Sequence, residues 1–329
     1  MTDVNVYAII SITLLKFNVL VVRLDGRTEN KMSEVKIFAS CHNHSCFSDA
    51  EYTPETLARM AWNMGHGGII LTDHDTIKGY PFIKAECERR GMKTMLGCEF
   101  STYHNGVGTH LCGFDFDPEH PEMRELLRKG SSVQTKRSEL LFKWGQERGT
   151  LRSGITWQDV LDDHPYNDYI CNNQVFDSML KRGIYIQAEY DDVFLKPNFS
   201  YRLGLEDKIR EIVGYSYKDI ITEEVVRIIR AAGGVPVIAH PHSKGHLVAD
   251  YIKMGVMGFE TRHSALTPEE HDFYEKICDE NKLYKAGGAD HEGILGGLLA
   301  FPDPKYDCPY EHSGVTEEDF MTLYERRLG

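Results

Sequence analysis

His42-Asn-His44, Ser48-Asp49, Thr72-Asp73-His74-Asp75, Gly97-Cys-Glu99, His110, His240 and Asp290 spread small groups of imidazoles and carboxylates over most of the chain. His42, His44, Asp49, His74, Glu99, His110, His240 and Asp290 are all of a type that binds a transition metal through nitrogen or oxygen. Residues two apart on an extended strand face the same side, so His42 and His44 can grip one ion together. One histidine alone is ordinarily a core or surface residue. Eight such groups, nearly all at expected strand termini, are hard to assign to stability, because burying them without a counter-ion would be prohibitive. No cysteine stands at these positions, and imidazole with carboxylate suits Zn²⁺, Mn²⁺ or Fe²⁺ without choosing among them. The donors exceed the needs of one ion. Two or three divalent ions bridged by a carboxylate are therefore expected, with Glu99 as the candidate bridge.

These residues need elements that converge. Seven short apolar runs do this: Val35–Cys41, Gly67–Leu71, Lys93–Leu96, Thr109–Phe114, Gly234–Ala239, Val256–Glu260 and Leu283–Gly287. Most end in a His, Asp or Glu cluster, whereas the fourth carries its histidine near its start. Helix patterns follow several of them. Thr53-Pro54-Glu55 reads as an N-cap with Pro at the first helical position, and Thr267-Pro-Glu-Glu270 as a capping box. Gly91 and Gly233 stand where helices should stop. Alternating β and α segments with chemistry at the strand ends point to an α/β fold and to a (β/α) barrel. An open doubly wound sheet also places ligands there, but no Gly-x-Gly-x-x-Gly follows an early strand.

The pattern changes between 117 and 220, with a long charged helix over 120–149 and then aromatic, Asp- and Asn-rich stretches. The expected organisation is an extension (1–31), a first barrel part (32–116), an inserted cap (117–220), a second barrel part (221–302) and a tail (303–329) with a packed helix over Thr316–Arg327. Val6–Val22 is apolar but interrupted by Lys16, and Met1-Thr-Asp lacks the positive start of a signal peptide. Translation is expected to begin near Met32, with residues 1–31 outside the site and no membrane span.

The 329 residues carry 50 acidic and 37 basic side chains, a formal charge of −13. Such an excess repels polyanions, so a nucleic-acid polymer is not the expected partner, while a small anion remains compatible with locally concentrated positive charge. The eight cysteines include no Cys-x-x-Cys pair and read as reduced thiols of a cytoplasmic protein.

Taken in order, His42-Asn-His44-Ser45, Ser48-Asp49, Thr72-Asp-His74-Asp75, Gly97-Cys-Glu99, His110-Leu-Cys-Gly113, Ala239-His240-Pro241 and Gly288-Ala-Asp290 resemble the motifs of the PHP (polymerase and histidinol phosphatase) family. The resemblance runs from about residue 36 to 295, and its stand-alone phosphoesterase branch is the most similar. It implies a distorted (β/α)₇ TIM-like barrel with an inserted, mostly helical cap, two or three divalent ions (Mn, Fe or Zn), and hydrolysis of phosphate esters. It also implies His42, His44, Asp49, His74, Glu99, His110, His240 and Asp290 as metal ligands. Two departures stand out. The family usually closes with Asp-x-His, whereas this chain has Asp290-His291-Glu292, making Glu292 a candidate oxygen ligand. Where relatives often carry Arg and His on a cap helix, this chain has Cys171-Asn-Asn-Gln174.

The expected chemistry is attack on phosphorus by a hydroxide bridging the ions, with Asp290 or His263 handling protons. Arg262 and His263 follow a strand and are expected to bind a phosphate oxygen. Arg137, on the long helix, is a second candidate, supported by the resemblance. The expected substrate is a small phosphorylated metabolite, such as a nucleoside mono- or bisphosphate. A cyclic sugar phosphate and histidinol phosphate are alternatives within the family. A non-catalytic metal-binding module and an amide-cleaving metal hydrolase are the alternatives outside this chemistry.

Overall fold

The computed structural model describes residues 35–190, 192–193, 205–290 and 313–328. The extension 1–31, Glu292 and the first part of the tail lie outside these residues. The fold concerns the unit Lys36–Gly329.

Among the described residues there are seven strands, six overlapping expected runs and the third beginning just after its run: β1 (Ala39–Ser40), β2 (Gly68–Ile69), β3 (Gly97–His104), β4 (Val107–Phe114), β5 (Val235–Ile238), β6 (Gly258–His263) and β7 (Tyr284–Gly288). The α/β class holds, but the named strands form two sheets, β1-β2 and β3-β4-β5-β6-β7, rather than one closed ring. At one seam, an isolated parallel bridge joins His74 to Glu99. At the other, the Cys41 N–H donates to Gly287 O at 2.8 Å.

The (β/α) barrel expectation, whose strands run parallel, needs correction at β4, which runs antiparallel to both β3 and β5. Its cause is local. Asn105 and Gly106 have φ of 50° and 80°, the left-handed pair that closes a two-residue hairpin. The reversal explains His110: the start of an antiparallel strand lies at the carboxyl end of its neighbours. The third run also shifts, because β3 starts at Gly97 and Glu99 lies within it.

Helix α1 (Pro54–Asn63) follows β1 and helix α2 (Tyr80–Arg90) follows β2, and Thr53 caps α1 as its sequence implied. The long charged segment is α3 (Pro121–Glu147), followed by α4 (Trp157–Asp163), α5 (Asn172–Lys181), α6 (Leu205–Val213) and α7 (Thr222–Ala231). These do not pack by themselves. Phe142 of α3, Val160 of α4, Phe176 of α5 and Ile209 of α6 share one buried cluster with Phe100, Leu111, Ile238 and Phe259 of the sheet. Beyond them lie α8 (Val248–Met254), α9 (Pro268–Asn281), which carries the expected Thr267–Glu270 capping box, and α10 (Glu317–Tyr324), capped by Thr316. Phe320 of α10 is buried, so the tail helix is packed as expected. No helix among the described residues is long and apolar enough to cross a membrane.

Candidate active site

The strand ends bring the distant residues into one cluster. Its floor is His42, His44 and Glu99, all fully buried. Glu99 is the hub. Its Oε2 lies 3.2 Å from His42 Nε2, 3.2 Å from His44 Nε2 and 3.1 Å from His74 Nδ1. Its Oε1 lies 3.0 Å from His110 Nδ1 and 2.9 Å from His240 Nε2. Asp290 Oδ1 adds contacts of 2.9 Å to His44 and 3.4 Å to His42. Asp49 spans His44 and His74 at 3.4 and 3.3 Å. Close packing makes this possible: a Cβ on Gly288 of β7 would come within 2.5 Å of the His42 nitrogen.

Two members are held in unusual backbone. His240 and Asp290 have φ of 27° and 53°, a region that costs non-glycine residues of order 1–3 kcal/mol and persists where the surroundings impose it. Here the surroundings do so through hydrogen bonds. The His240 N–H donates to Glu260 Oε2 at 2.5 Å, and the Asp290 N–H to His42 O at 3.1 Å.

Glu260 is a site residue that the sequence analysis passed over. Besides the His240 amide it takes the His42 ring at 2.9 Å through Nδ1. A carboxylate is an acceptor only, so it holds the proton on Nδ1 and leaves the Nε2 lone pair facing His44 and Glu99, the arrangement found behind metal-binding imidazoles. The available signal was its place on β6, three residues before His263.

The donor set was tested against divalent metal. Three overlapping groups, His42-His44-Glu99-Asp290, His44-Asp49-His74 and His74-Glu99-His110, each bring their ligand atoms within 4.8 Å of one another. Glu99 Oε2 and His74 Nδ1 are buried, 3.1 Å apart, and neither makes a hydrogen bond. His42 Nε2 and His44 Nε2 point at each other across 3.1 Å. Facing lone pairs and orphaned oxygens are what a shared cation satisfies, and the residues fit the group. Electrostatics agree. Burial opposes charge on His44 and His74, yet Asp49, Glu99 and, at His44, Asp290 outweigh it, holding His44 well above the usual imidazole range and His74 up to about 9. Burial also opposes the Glu99 charge, but His42, His74 and His110 hold its carboxyl well below the ordinary range.

The chain was then compared with known proteins. The model of the PHP domain matches residues 40–220. The chain belongs to the PHP family. It is 35% identical over 268 residues to the 5'-3' exoribonuclease Rnm of Salmonella typhimurium, covering 76% of this chain and 83% of that protein. It is 24% identical to the 3',5'-nucleoside bisphosphate phosphatase of Chromobacterium violaceum, covering 76% and 85%. A crystal structure of a candidate metal-dependent phosphoesterase from Bifidobacterium adolescentis superposes with a TM-score of 0.68 at 22% identity, covering 88% of this chain and 96% of that one. This PHP protein is a hydrolase of that family.

Arg262 is paired with Glu275 of α9 at 2.6 Å and is not among the contacts of the histidine cluster. The reason is a bulge in β6 between Glu260 and Arg262. The extra residue breaks alternation, so Glu260 and His263 share the cluster side and Arg262 goes to the helix. His263 is 1% exposed, with Nδ1 accepting the Ala265 N–H at 3.0 Å and Nε2 3.6 Å from Asp290 Oδ2. It stands behind Asp290 rather than on the open side. Burial disfavours the charge on Asp290, but the neighbouring His42, His263 and His44 rings hold its carboxyl well below the ordinary range. Asp290 is therefore ionised at neutral pH, which suits it to binding a cation rather than donating a proton.

Arg137 is at the site. It lines a cavity of about 460 Å³ together with Asp49, His110, Tyr169, Asn172 and Asn173, while its guanidinium also meets Glu206 at 3.2 Å.

Proposed function

We propose that this chain hydrolyses a phosphate ester of a single small nucleotide, such as a nucleoside mono- or bisphosphate, with the reacting phosphate at the Glu99 cluster and the remainder in the adjoining cavity. The observation that carries this reading is that one cavity joins Asp49 and His110 to Arg137 and a polar wall of Asn and Tyr. Its volume is within the range of small-ligand sites and suits one nucleotide rather than a polymer.

His42, His44, Asp49, His74, Glu99, His110, His240 and Asp290 would hold two or three divalent ions, of Mn, Fe or Zn, with Glu99 shared between groups. When bound, such ions lower the pKa of water and polarise a phosphoryl oxygen. Arg137 supplies a fork for a phosphate oxygen. Asp290 accepts a proton at its carboxylate, and His263 orients it from behind. The distorted seven-stranded barrel is the fold reading that the hydrogen bonds at both sheet seams support.

A second reading, removal of a 5'-terminal nucleotide from RNA, is favoured by the Rnm relative and opposed by the net charge of −13. Mn²⁺-loaded protein should release phosphate from a nucleoside 3',5'-bisphosphate. Mononucleotide release from a short 5'-phosphorylated RNA, with the bisphosphate left intact, would replace the first reading with the second.

A further inference from the structure

Asp49 is carried by a loop that touches the helical insert. The insert meets that loop with donors. Asn167 Nδ2 donates to Cys46 O at 2.7 Å. Gln174 Nε2 donates to Ser48 O at 2.6 Å and to Cys46 O at 3.1 Å. Asn173 Nδ2 donates to the carbonyl of Asp49 itself, and the Cys171 thiol reaches Ser48 O at 3.5 Å. Asn173 and Gln174 are 6% and 3% exposed. Burying amides is unfavourable unless each group finds a partner, and these do: Asn173 Oδ1 accepts from Tyr190 Oη at 2.6 Å, and Gln174 Oε1 from the Cys171 N–H at 2.8 Å. From below, Asp73 takes the Ser45 N–H at 2.6 Å and the Ser48 hydroxyl at 2.7 Å. The loop is thus held between a carboxylate beneath and amide donors above.

We propose that Asn173 and Gln174, at the amino end of α5, are positioning residues that set the Asp49 carboxylate for metal, making the insert a wall of the metal site as well as of the cavity. This rests on Asp49 being a ligand, as read above. A donor on the Asp49 carbonyl fixes the backbone from which the carboxylate projects toward His44 and His74. Neighbours that orient a ligand typically change metal affinity about 10- to 100-fold.

The test is titration of metal-free full-length protein with Mn²⁺, following the electron paramagnetic resonance signal of the free ion, beside thermal unfolding of the same metal-free samples. Asn173→Ala should weaken the weakest Mn²⁺ class by about tenfold or more. In an Asp49→Ala background the same substitution should add nothing, because a residue that acts through Asp49 loses its effect when Asp49 is gone. Gln174→Glu keeps the acceptor for Cys171 but loses both amide donors, and should weaken Mn²⁺ in the same class. Should Asn173→Ala fail to fold, Gln174→Glu and Asn167→Ser carry the test. Equal Mn²⁺ affinity in variants and wild type, or full additivity with Asp49→Ala, overturns the positioning role. Failure of the wild-type protein to take up Mn²⁺ overturns the ligand reading beneath it.

Discussion

His42, His44 and Glu99 sit on or just beyond strands and are fully buried, whereas Asp49 sits on a loop with 26% of its side chain exposed. The two halves of one cluster are held in different ways. The strand-borne half inherits its geometry from the sheet, where ladder hydrogen bonds fix the backbone and only side-chain orientation remains. Glu260 completes that for His42. The loop-borne half has no ladder, so its placement is delegated to Asp73 on one side and to Asn167, Asn173 and Gln174 on the other. Precision in the first half comes from secondary structure, and in the second from side chains far away in sequence.

The largest expected effect tests the strand-borne half. Glu99→Ala removes the oxygen pair that touches five imidazoles, and should lose bound metal together with several kcal/mol of transition-state stabilisation, a fall in kcat/KM of about 10³-fold or more. Elemental analysis with phosphate-release kinetics checks both. Asp49→Ala should lower the metal content without abolishing it, since the Glu99-centred groups survive. Equal losses in the two variants would erase the proposed distinction.

Arg137→Ala should cost about 1.5–3 kcal/mol, roughly 10- to 150-fold in kcat/KM, as expected for a charged hydrogen bond to substrate. Glu260→Gln keeps the shape behind His42 but replaces an obligate acceptor by an amide that can also donate, and should weaken metal about tenfold to a hundredfold in a chelator-competition titration. The smallest effect belongs to Arg262→Ala. Its partner Glu275 is on the helix layer, so kcat/KM should stay near wild type, and loss of a partly exposed pair should cost at most about 1 kcal/mol in denaturant unfolding. A large kinetic defect in this variant would return Arg262 to the site.

Much of the fold and the cluster was legible in the chain itself. The apolar runs marked the strands, Thr53, Thr267 and Gly91 marked helix ends, and the His and carboxylate positions marked the cluster. Two signals went unread. Asn105-Gly106 announces a hairpin, and the histidine near the start of the fourth run announces a reversed strand. Arg262 was expected at a phosphate from its place after a strand, whereas it pairs with Glu275 beside a bulge that no local pattern reveals.

Residue type and short-range spacing are properties of the chain, so the kind of chemistry, the divalent-metal donor set and the helix boundaries could be read without coordinates. Which way Arg262 and His263 turn, that Glu260 backs His42, and that α5 grips the Asp49 loop were decided only on folding. Each depends on strand register or on contacts between segments more than a hundred residues apart, and hydrophobic periodicity carries no record of either.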